Sequence, residues 1–382
     1  MHVLWTPSWY PTPDDPFNGS FFKDQVEILR SAGNEVGVCY LAPKSFWQWR
    51  PSKPVIDYDN QVVMNSFPTV PKGAVRGDDA IIKEFARRLG REYALKWGAP
   101  DIIHAHSVFP GILVAQTLAE FWDIPYGLTE HRPSSLQSRE NSPRTKAIID
   151  AVESANFRLA VSKEFANELG RKYDAEFGVA SLPVPDEFFA TEIPEKSDQI
   201  VRFVHVSHLA PNKRVEETIQ AFASVSKKFP NTELHVIGGS PERLRELQEF
   251  TNNTEVSHRV KFLGKVSRER MPSVLAQYDV LVLVSRREAG GTVFAEAQSL
   301  GIPVIATATF GGLHMALPNT GIIVPIDDTP SLEQAMEQFA SKQTNFNSKD
   351  IREIAKDRFS SRAFAVKHDL TYRRALEFFS GA

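Results

Sequence analysis

Residues 285–312, SRREAGGTVFAEAQSLGIPVIATATFGG, constrain the fold more than any other stretch, because they prescribe an order of parts. They follow an apolar run at 278–284 (YDVLVLV) whose short length and β-branched and leucine content predict a strand buried on both faces. That strand delivers Ser285 to its C-terminal edge. Glu288, the pair Gly290 and Gly291, and Thr292 come next, then a helical run closed by Gly301, with Pro303 opening a further strand (PVIAT). The stretch reads as strand, glycine loop and helix N-terminus.

A helix start of this kind offers unpaired backbone N–H groups and the positive end of a helix dipole, which suit a phosphate. Glu296 lies eight residues after Glu288, about two helical turns, so the two carboxylates can face one space. A carboxylate beside a phosphate repels it, so these two are expected to bind hydroxyls. Phosphates and vicinal hydroxyls together describe a sugar nucleotide. The alternative for the two glutamates is an exposed helix face.

At 382 residues the chain exceeds one ordinary domain, and two domains of roughly 150 to 200 residues are expected. A net charge of −3 gives no electrostatic case for a nucleic-acid partner. The single cysteine, Cys39, excludes an internal disulfide and cysteine-cluster metal sites, which fits a reducing compartment. The start MHVLWTPSWYPTP has neither the basic region nor the apolar core of a signal peptide. No apolar run approaches the roughly 20 residues of a membrane helix. The expected location is the cytoplasm, at the inner face of its membrane if at a membrane at all.

From the N-terminus, residues 2–6 predict a strand, 7–18 a proline-rich loop, 20–31 a helix entered at Gly19, and 35–41 the next strand, a doubly wound beginning. The loop lacks the GxGxxG dinucleotide pattern, and Gly19 stands either at a ligand or merely at a helix start. Residues 44–71 read as an irregular excursion with a hairpin at 55–67. Within it Asp57, Tyr58 and Asp59 spell DxD, a metal-holding pattern or an ordinary turn beside Asn60. Residues 79–97 predict a helix with Ile82, Phe85, Leu89 and Tyr93 on one side and Lys83, Arg87, Arg88 and Arg91 elsewhere, a solvated basic face or a contact for an anionic membrane. Strands at 101–106 (DIIHAH) and 126–131 (YGLTEH) end in histidines without a carboxylate or thiol at zinc spacing. His131 is the stronger site candidate. Residues 182–199 have linker composition, and alternation restarts with a strand at 201–206, the loop SHLAPNKR with Lys213, and a helix at 215–228. Lys213 is placed to meet a diphosphate as a point charge, or to be a solvated lysine. The final run, with Phe364, His368, Tyr372 and Leu376 at helical spacing, is expected to pack on the first domain.

With SHLAPNKR in one loop and EAGGTVFAE, GIPVIAT and Gly312 in the other block, and with HAHSVFPG and LTEH at strand ends, nearly the whole chain resembles the retaining family 4 glycosyltransferases. WYPTPDDPFNGSFFKDQVEIL and TEHRPSS are similar to bacterial enzymes of surface polysaccharide synthesis. The resemblance implies an α/β protein of GT-B fold: two doubly wound Rossmann-like domains facing across a cleft, residues 1–188 for the acceptor and 189–360 for the nucleotide sugar, with the helix at 361–382 crossing back to the first.

It further implies that Lys213 binds the donor diphosphate with N–H groups of Gly291 and Thr292, next to Gly290. Glu288 would hold hydroxyls of the transferred sugar, Glu296 those of the ribose, and His131 would touch the sugar from the first domain. Gly19 would let that domain approach the phosphates. Two departures stand out: His208 replaces the usual arginine, and Arg214 replaces the usual glycine after the lysine, so Arg214 is a candidate second cation. Leu313 and His314 stand where a glutamate is frequent. The expected reaction is metal-independent transfer of a sugar, with retention, from a nucleoside-diphosphate sugar to a glycan or polyprenyl-diphosphate-linked acceptor of a surface polysaccharide. Two alternatives stay open: a nucleotide-sugar epimerase of the same fold, and a non-catalytic sugar-binding protein.

Overall fold

The computed structural model describes residues 1–12, 14–15, 18–69, 78–137, 142–194, 199–344 and 346–381. Residues 13, 16 and 17 of the expected proline-rich loop, 70 and 71 of the expected excursion, 195–198 of the expected linker and 382 of the final run lie outside them. The chain divides into two compact units, residues 1–180 with 364–382, and residues 181–363.

Unit 1 runs β1 (His2–Pro7), α1 (Ser20–Ser31), β2 (Glu35–Ser45), β3 (Val55–Asp57), β4 (Val62–Thr69), α2 (Asp78–Trp97), β5 (Ile102–His106), α3 (Leu113–Trp122), β6 (Tyr126–Glu130), α4 (Pro143–Glu153), β7 (Phe157–Ala160), α5 (Lys163–Tyr173) and β8 (Gly178–Val179). Among the described residues these strands form one sheet in the order β3-β4-β2-β1-β5-β6-β7-β8, parallel except for β3. The region expected to be an irregular excursion therefore belongs to the sheet: β4 pairs in parallel with β2 from Val62 to Thr69. Val62, Val63 and Phe67 are buried there, and that apolar content is what draws the segment in. Asp57 takes hydrogen bonds from the Asn60 backbone N (3.1 Å) and Nδ2 (2.8 Å), so this part of the DxD pattern closes a turn. On α2, Arg88 pairs with Glu84, while Arg91 and Lys96 lie over the rings of Phe121 and Tyr58.

Unit 2 runs α6 (Asp186–Ala190), β9 (Val201–Ser207), α7 (Val215–Lys228), β10 (Thr232–Gly238), α8 (Pro241–Asn252), β11 (Val260–Gly264), α9 (Met271–Leu275), β12 (Val280–Leu283), α10 (Thr292–Ser299), β13 (Val304–Thr307), α11 (Phe310–Met315), β14 (Gly321–Val324), α12 (Thr329–Ala340) and α13 (Ser348–Phe359). Its described strands form an all-parallel sheet in the order β11-β10-β9-β12-β13-β14. The unit begins at residue 181, ahead of the break at 188/189 read from composition, because Val184 and Phe188 are buried in its core. The unbroken apolar runs follow from a strand's period of two with both faces covered. Val280, Val282 and Val284 enter one core with α7 and α12; Leu281 and Leu283 enter the other with α10 and α13. α14 (Ser361–Ser380) then carries Phe364, Ala365, Tyr372 and Ala375 into the core of unit 1 beside Trp5 and Phe157.

In both sheets the chain builds outward from one strand and then turns to its other side. That reversal lies between β1 and β5 in unit 1 and between β9 and β12 in unit 2. At such a point the loops leaving the two strands diverge and open a crevice at the C-terminal edge.

Phe222 is fully buried on α7, edge-on to Phe203 at 6.3 Å. Replacing it by alanine removes a large side chain from a layer that closes only partly around the gap. Phe222→Ala is expected to destabilise unit 2 by about 3–5 kcal/mol, read as a lowered urea midpoint at unchanged slope. A shift under about 1 kcal/mol would mean the layer collapses around the loss.

Candidate functional site

The two loops that leave β9 and β12 meet at the reversal of unit 2. Arg286 N donates to Asn212 O (2.9 Å), and Asn212 Nδ2 donates to Arg287 O (3.2 Å), which locks the loops together. On this base Lys213 Nζ reaches Glu288 Oε2 at 2.7 Å, an ion pair with both side chains mostly covered. The Glu288 carbonyl accepts from Gly311 N at the start of α11 (2.8 Å), fixing the loop from behind. Gly290 and Gly291 are buried, and Gly291 caps α10 with φ 63°, where an added Cβ would stand 2.6 Å from the Phe294 ring. A side chain is excluded there both by conformation and by space. Thr292, exposed, opens α10, whose first N–H groups have no intrahelical partners.

Arg214, the candidate second cation, is turned to another task. Its side chain is 6% exposed, and Nε lies 3.1 Å from Glu217 and 3.3 Å from Asp327. Its backbone has φ 53° and ψ 50°, the left-handed conformation that explains why glycine is usual here. A non-glycine residue in that conformation costs about 1–2 kcal/mol, and the two carboxylates hold the side chain that bears this cost. His208 is exposed. His314 is joined through Nε2 to Ser181 Oγ (2.9 Å) and its carbonyl to Arg358 (2.6 Å), so it ties α11 to its own unit.

Glu296 sits in α10, half-buried, with no hydrogen-bond or ion-pair partner for its carboxyl among the described residues. Burial pushes its pKa up to about 7, against a smaller lowering by Arg268. Ser285, at the end of β12, is 1% exposed, and its Oγ finds no partner among the described residues. A buried unpaired hydroxyl and an unpaired carboxyl at one sheet edge are unsatisfied polar capacity, which a ligand can use.

Unit 1 gathers Gly19 and His131 at its own edge. Gly19 enters α1 with φ 78°, and a Cβ there would stand 2.8 Å from the Trp9 ring. His131 packs edge-on to Trp9 and Phe22 at 6.1 and 5.5 Å, and its Nε2 lies 3.1 Å from His106 Nδ1. The rings of His368, His104, His106 and His131 follow one another at 5.6, 4.2 and 5.3 Å. Burial lowers all four, His131 to about 3 and His368 to about 4, so the column is uncharged. One proton serves the His106–His131 bond, leaving His131 Nδ1 and His106 Nε2 unpaired.

The hub of this edge is Glu130, which the motif reading did not single out. Its Oε1 accepts from Ser107 Oγ (2.7 Å), His131 N (2.8 Å) and Arg132 N (2.7 Å), and its Oε2 from Val108 N (2.8 Å). Burial raises its pKa while these donors oppose the rise. A glutamate at the last position of an apolar strand was the available signal. Among the described residues no three His, Cys, Asp or Glu side chains form a group that could hold a metal, and no helix is long and apolar enough to cross a membrane.

Residues 185–358 match the model of glycosyl transferases group 1, and residues 20–179 that of glycosyltransferase family 4. A D-inositol 3-phosphate glycosyltransferase of Mycobacteroides abscessus is 31% identical over 307 residues, 73% of this chain and 67% of that one. The chain is a family 4 glycosyltransferase. It is also 27% identical to the protein of that name in Corynebacterium diphtheriae, over 64% of each. A putative teichuronic acid biosynthesis glycosyltransferase of Bacillus subtilis is 24% identical over 90% of each chain. The chain spans 64% and 44% of the lengths of the Corynebacterium diphtheriae relative and of a Bacillus anthracis N-acetyl-alpha-D-glucosaminyl L-malate synthase. Among solved structures, the apo form of the lipopolysaccharide outer core galactosyltransferase WaaB superposes with TM-score 0.73 at 16% identity over all of both chains. Anabaena HepE in complex with UDP gives 0.71 at 16%, over 98% of this glycosyltransferase and 100% of that chain. These neighbours establish the GT-B fold.

The Glu296 shift makes this glycosyltransferase pH-sensitive in a defined direction. A carboxyl whose native pKa lies above its unfolded value contributes stability below the unfolded value, and that contribution is lost as pH rises through about 7. Glu296→Gln should therefore match the wild type near pH 5 and exceed its Tm by roughly 2 °C or more near pH 8. Equal differences at both pH values would place the carboxyl in the ordinary range.

Proposed function

We propose that this glycosyltransferase moves a sugar from a nucleoside-diphosphate sugar to an acceptor, with retention and with loss of the nucleoside diphosphate. The observation that carries the reading is the Lys213–Glu288 pair at 2.7 Å beside the start of α10. An ammonium has three donors, so the one given to Glu288 leaves two for phosphate oxygens. Charge builds on the departing diphosphate as the glycosidic bond breaks. Lys213 and the N–H groups at Gly291 and Thr292 are preorganised to meet that charge, and so stabilise the transition state more than the bound donor. Arg214, engaged by Glu217 and Asp327, stays out of this step and steadies the loop.

Glu288, its charge balanced by Lys213, accepts hydrogen bonds from hydroxyls of the transferred sugar, and Glu296 from those of the ribose. An unpaired carboxyl near pKa 7 gains partners when those hydroxyls arrive. His131 is neutral throughout the physiological range and acts as a hydrogen-bonding group to a sugar hydroxyl, with His106 setting its tautomer. Proton transfer from the acceptor goes to the leaving phosphate in this reading.

A UDP sugar is the first donor to try, since HepE is described with UDP and with UDP-glucose. The name of the Bacillus subtilis relative supports a role in surface polysaccharide synthesis. Family membership favours transfer over epimerisation or simple sugar binding.

Release of nucleoside diphosphate from a panel of sugar nucleotides, with and without acceptor, tests the reading. Lys213→Ala should lower turnover by roughly 100- to 1,000-fold, the size expected for one charge-stabilising group. Near-normal turnover in that variant would refute the role. Glu296→Ala should weaken donor binding by roughly 10- to 100-fold by calorimetry, with unchanged affinity arguing against the ribose contact.

A further inference from the structure

We propose that His314 is a positioning residue of the transfer reaction: seated on Ser181 and Arg358, it fixes α11 and, through α11, the place where Glu288 stands. The role rests on the reading of Glu288 as a contact for the transferred sugar. The seat is built from two stretches far apart in sequence. The chain passes from unit 1 to unit 2 at 180/181 and returns at 363/364, and the seat uses residues close to both. Ser181 is the first residue of unit 2, and Arg358 lies on α13, the last helix wholly within that unit. The two stretches are also bonded to each other, since Val184 N donates to Phe359 O at 2.8 Å.

His314 Nε2 lies 2.9 Å from Ser181 Oγ and 3.5 Å from Arg358 Nη2, and the same Nη2 donates to the His314 carbonyl at 2.6 Å. A guanidinium has no acceptor, so Nε2 is the unprotonated ring nitrogen and the Ser181 hydroxyl donates to it. Burial, with Arg358 beside it, lowers the histidine's pKa to about 4 and keeps the ring neutral. From this seat α11 reaches the glycine loop within one turn. Gly311 N donates to Glu288 O at 2.8 Å, and a Cβ added at Gly311 would stand 2.9 Å from Glu288 Cγ and 3.2 Å from Gly291 N. No slack separates α11 from the glutamate that pairs with Lys213, so a shift of the helix is passed to it. α11 has six residues, too few to hold a position by its own hydrogen bonds. Thr309 caps its start through Gly312 N at 3.1 Å, and Met315 O accepts from Gln298 Nε2 at 2.8 Å. His314 adds the hold on α13 and on the entry of the chain into unit 2.

Turnover, nucleotide affinity and amide exchange of the full chain separate this role from a merely structural one. UDP release is measured from UDP-glucose, UDP-galactose and UDP-N-acetylglucosamine, and UDP binding by calorimetry. His314→Leu should lower turnover roughly 10-fold, the scale of a displacement well under about 1 Å, with UDP affinity within about twofold of the wild type. His314→Gln, which keeps an acceptor near the place of Nε2, should recover most of the loss, and Ser181→Ala should reproduce part of it. In a Glu288→Gln background His314→Leu should cost less than about twofold, because the group it positions is already altered. The Gly311 amide should exchange faster in His314→Leu, while that of Val236, buried in the core of the sheet, is unchanged. The proposal is overturned if His314→Leu turns over like the wild type, if its UDP affinity falls as far as its turnover, if the loss persists undiminished in the Glu288→Gln background, or if Gly311 exchange is unchanged. Thermal melts identify a variant that fails to fold, and Ser181→Ala, the loss of one hydroxyl, then decides. If the wild type releases UDP from none of the three donors, the UDP-sugar reading fails, and Gly311 exchange alone decides whether His314 fixes α11.

Discussion

A lysine and a glutamate that are each largely covered sit together at the reversal of a parallel sheet, and much of unit 2 is arranged to make that possible. Removing both charges from water costs several kcal/mol per ion, so the pair persists only where geometry is good and the surroundings do not move. The rigidity has identifiable sources. β9 and β12 are adjacent strands, with Val280 opposite Phe203 and Leu281 opposite Val204. Their loops are stitched by Asn212, and Gly311 holds Glu288 from behind. Two apolar layers, one on each face of the sheet, keep those strands from shifting.

Unit 1 handles polar groups at the equivalent edge differently. His368, His104, His106 and His131 are buried without charge in one column, and Glu130 spends its capacity on neighbouring N–H and O–H groups. Glu130 thereby shapes the backbone around residues 107–108 and 130–132. Arg132 and Arg144 lie there on aromatic rings. A fixed ion pair in one unit and guanidinium groups stacked on rings in the other are two ways of holding a cation in place.

Much of this was legible in the residues. The apolar run before Ser285 and the glycine loop after it identify strand, turn and helix because each is a local property, and the position of Lys213 follows from the same logic at the loop between β9 and α7. The helix at Ser20–Ser31 and its glycine entry were equally plain. What was hidden depends on long-range packing. Val62, Val63 and Phe67 join the main sheet only because β2 offers a free edge to pair with. Short α11 and the 12-residue α8 carry weak apolar patterns, so neither announced itself. Glu130 looked like any strand-end acid, since its four donors come from Ser107, Val108 and its own two successors.

Arg214 shows why a motif departure needs geometry before it is given a function. Its position following Lys213 invites the idea of a second phosphate cation. The backbone there is left-handed, which points Arg214 away from the role its charge suggests: a bulky residue tolerates that conformation only if its side chain is anchored, and Glu217 and Asp327 are the anchors. Asp327 in turn also holds Arg286, the first residue beyond Ser285. The substitution thus ties the lysine loop to the glycine loop through one more carboxylate. Its consequence is greater stiffness around Lys213.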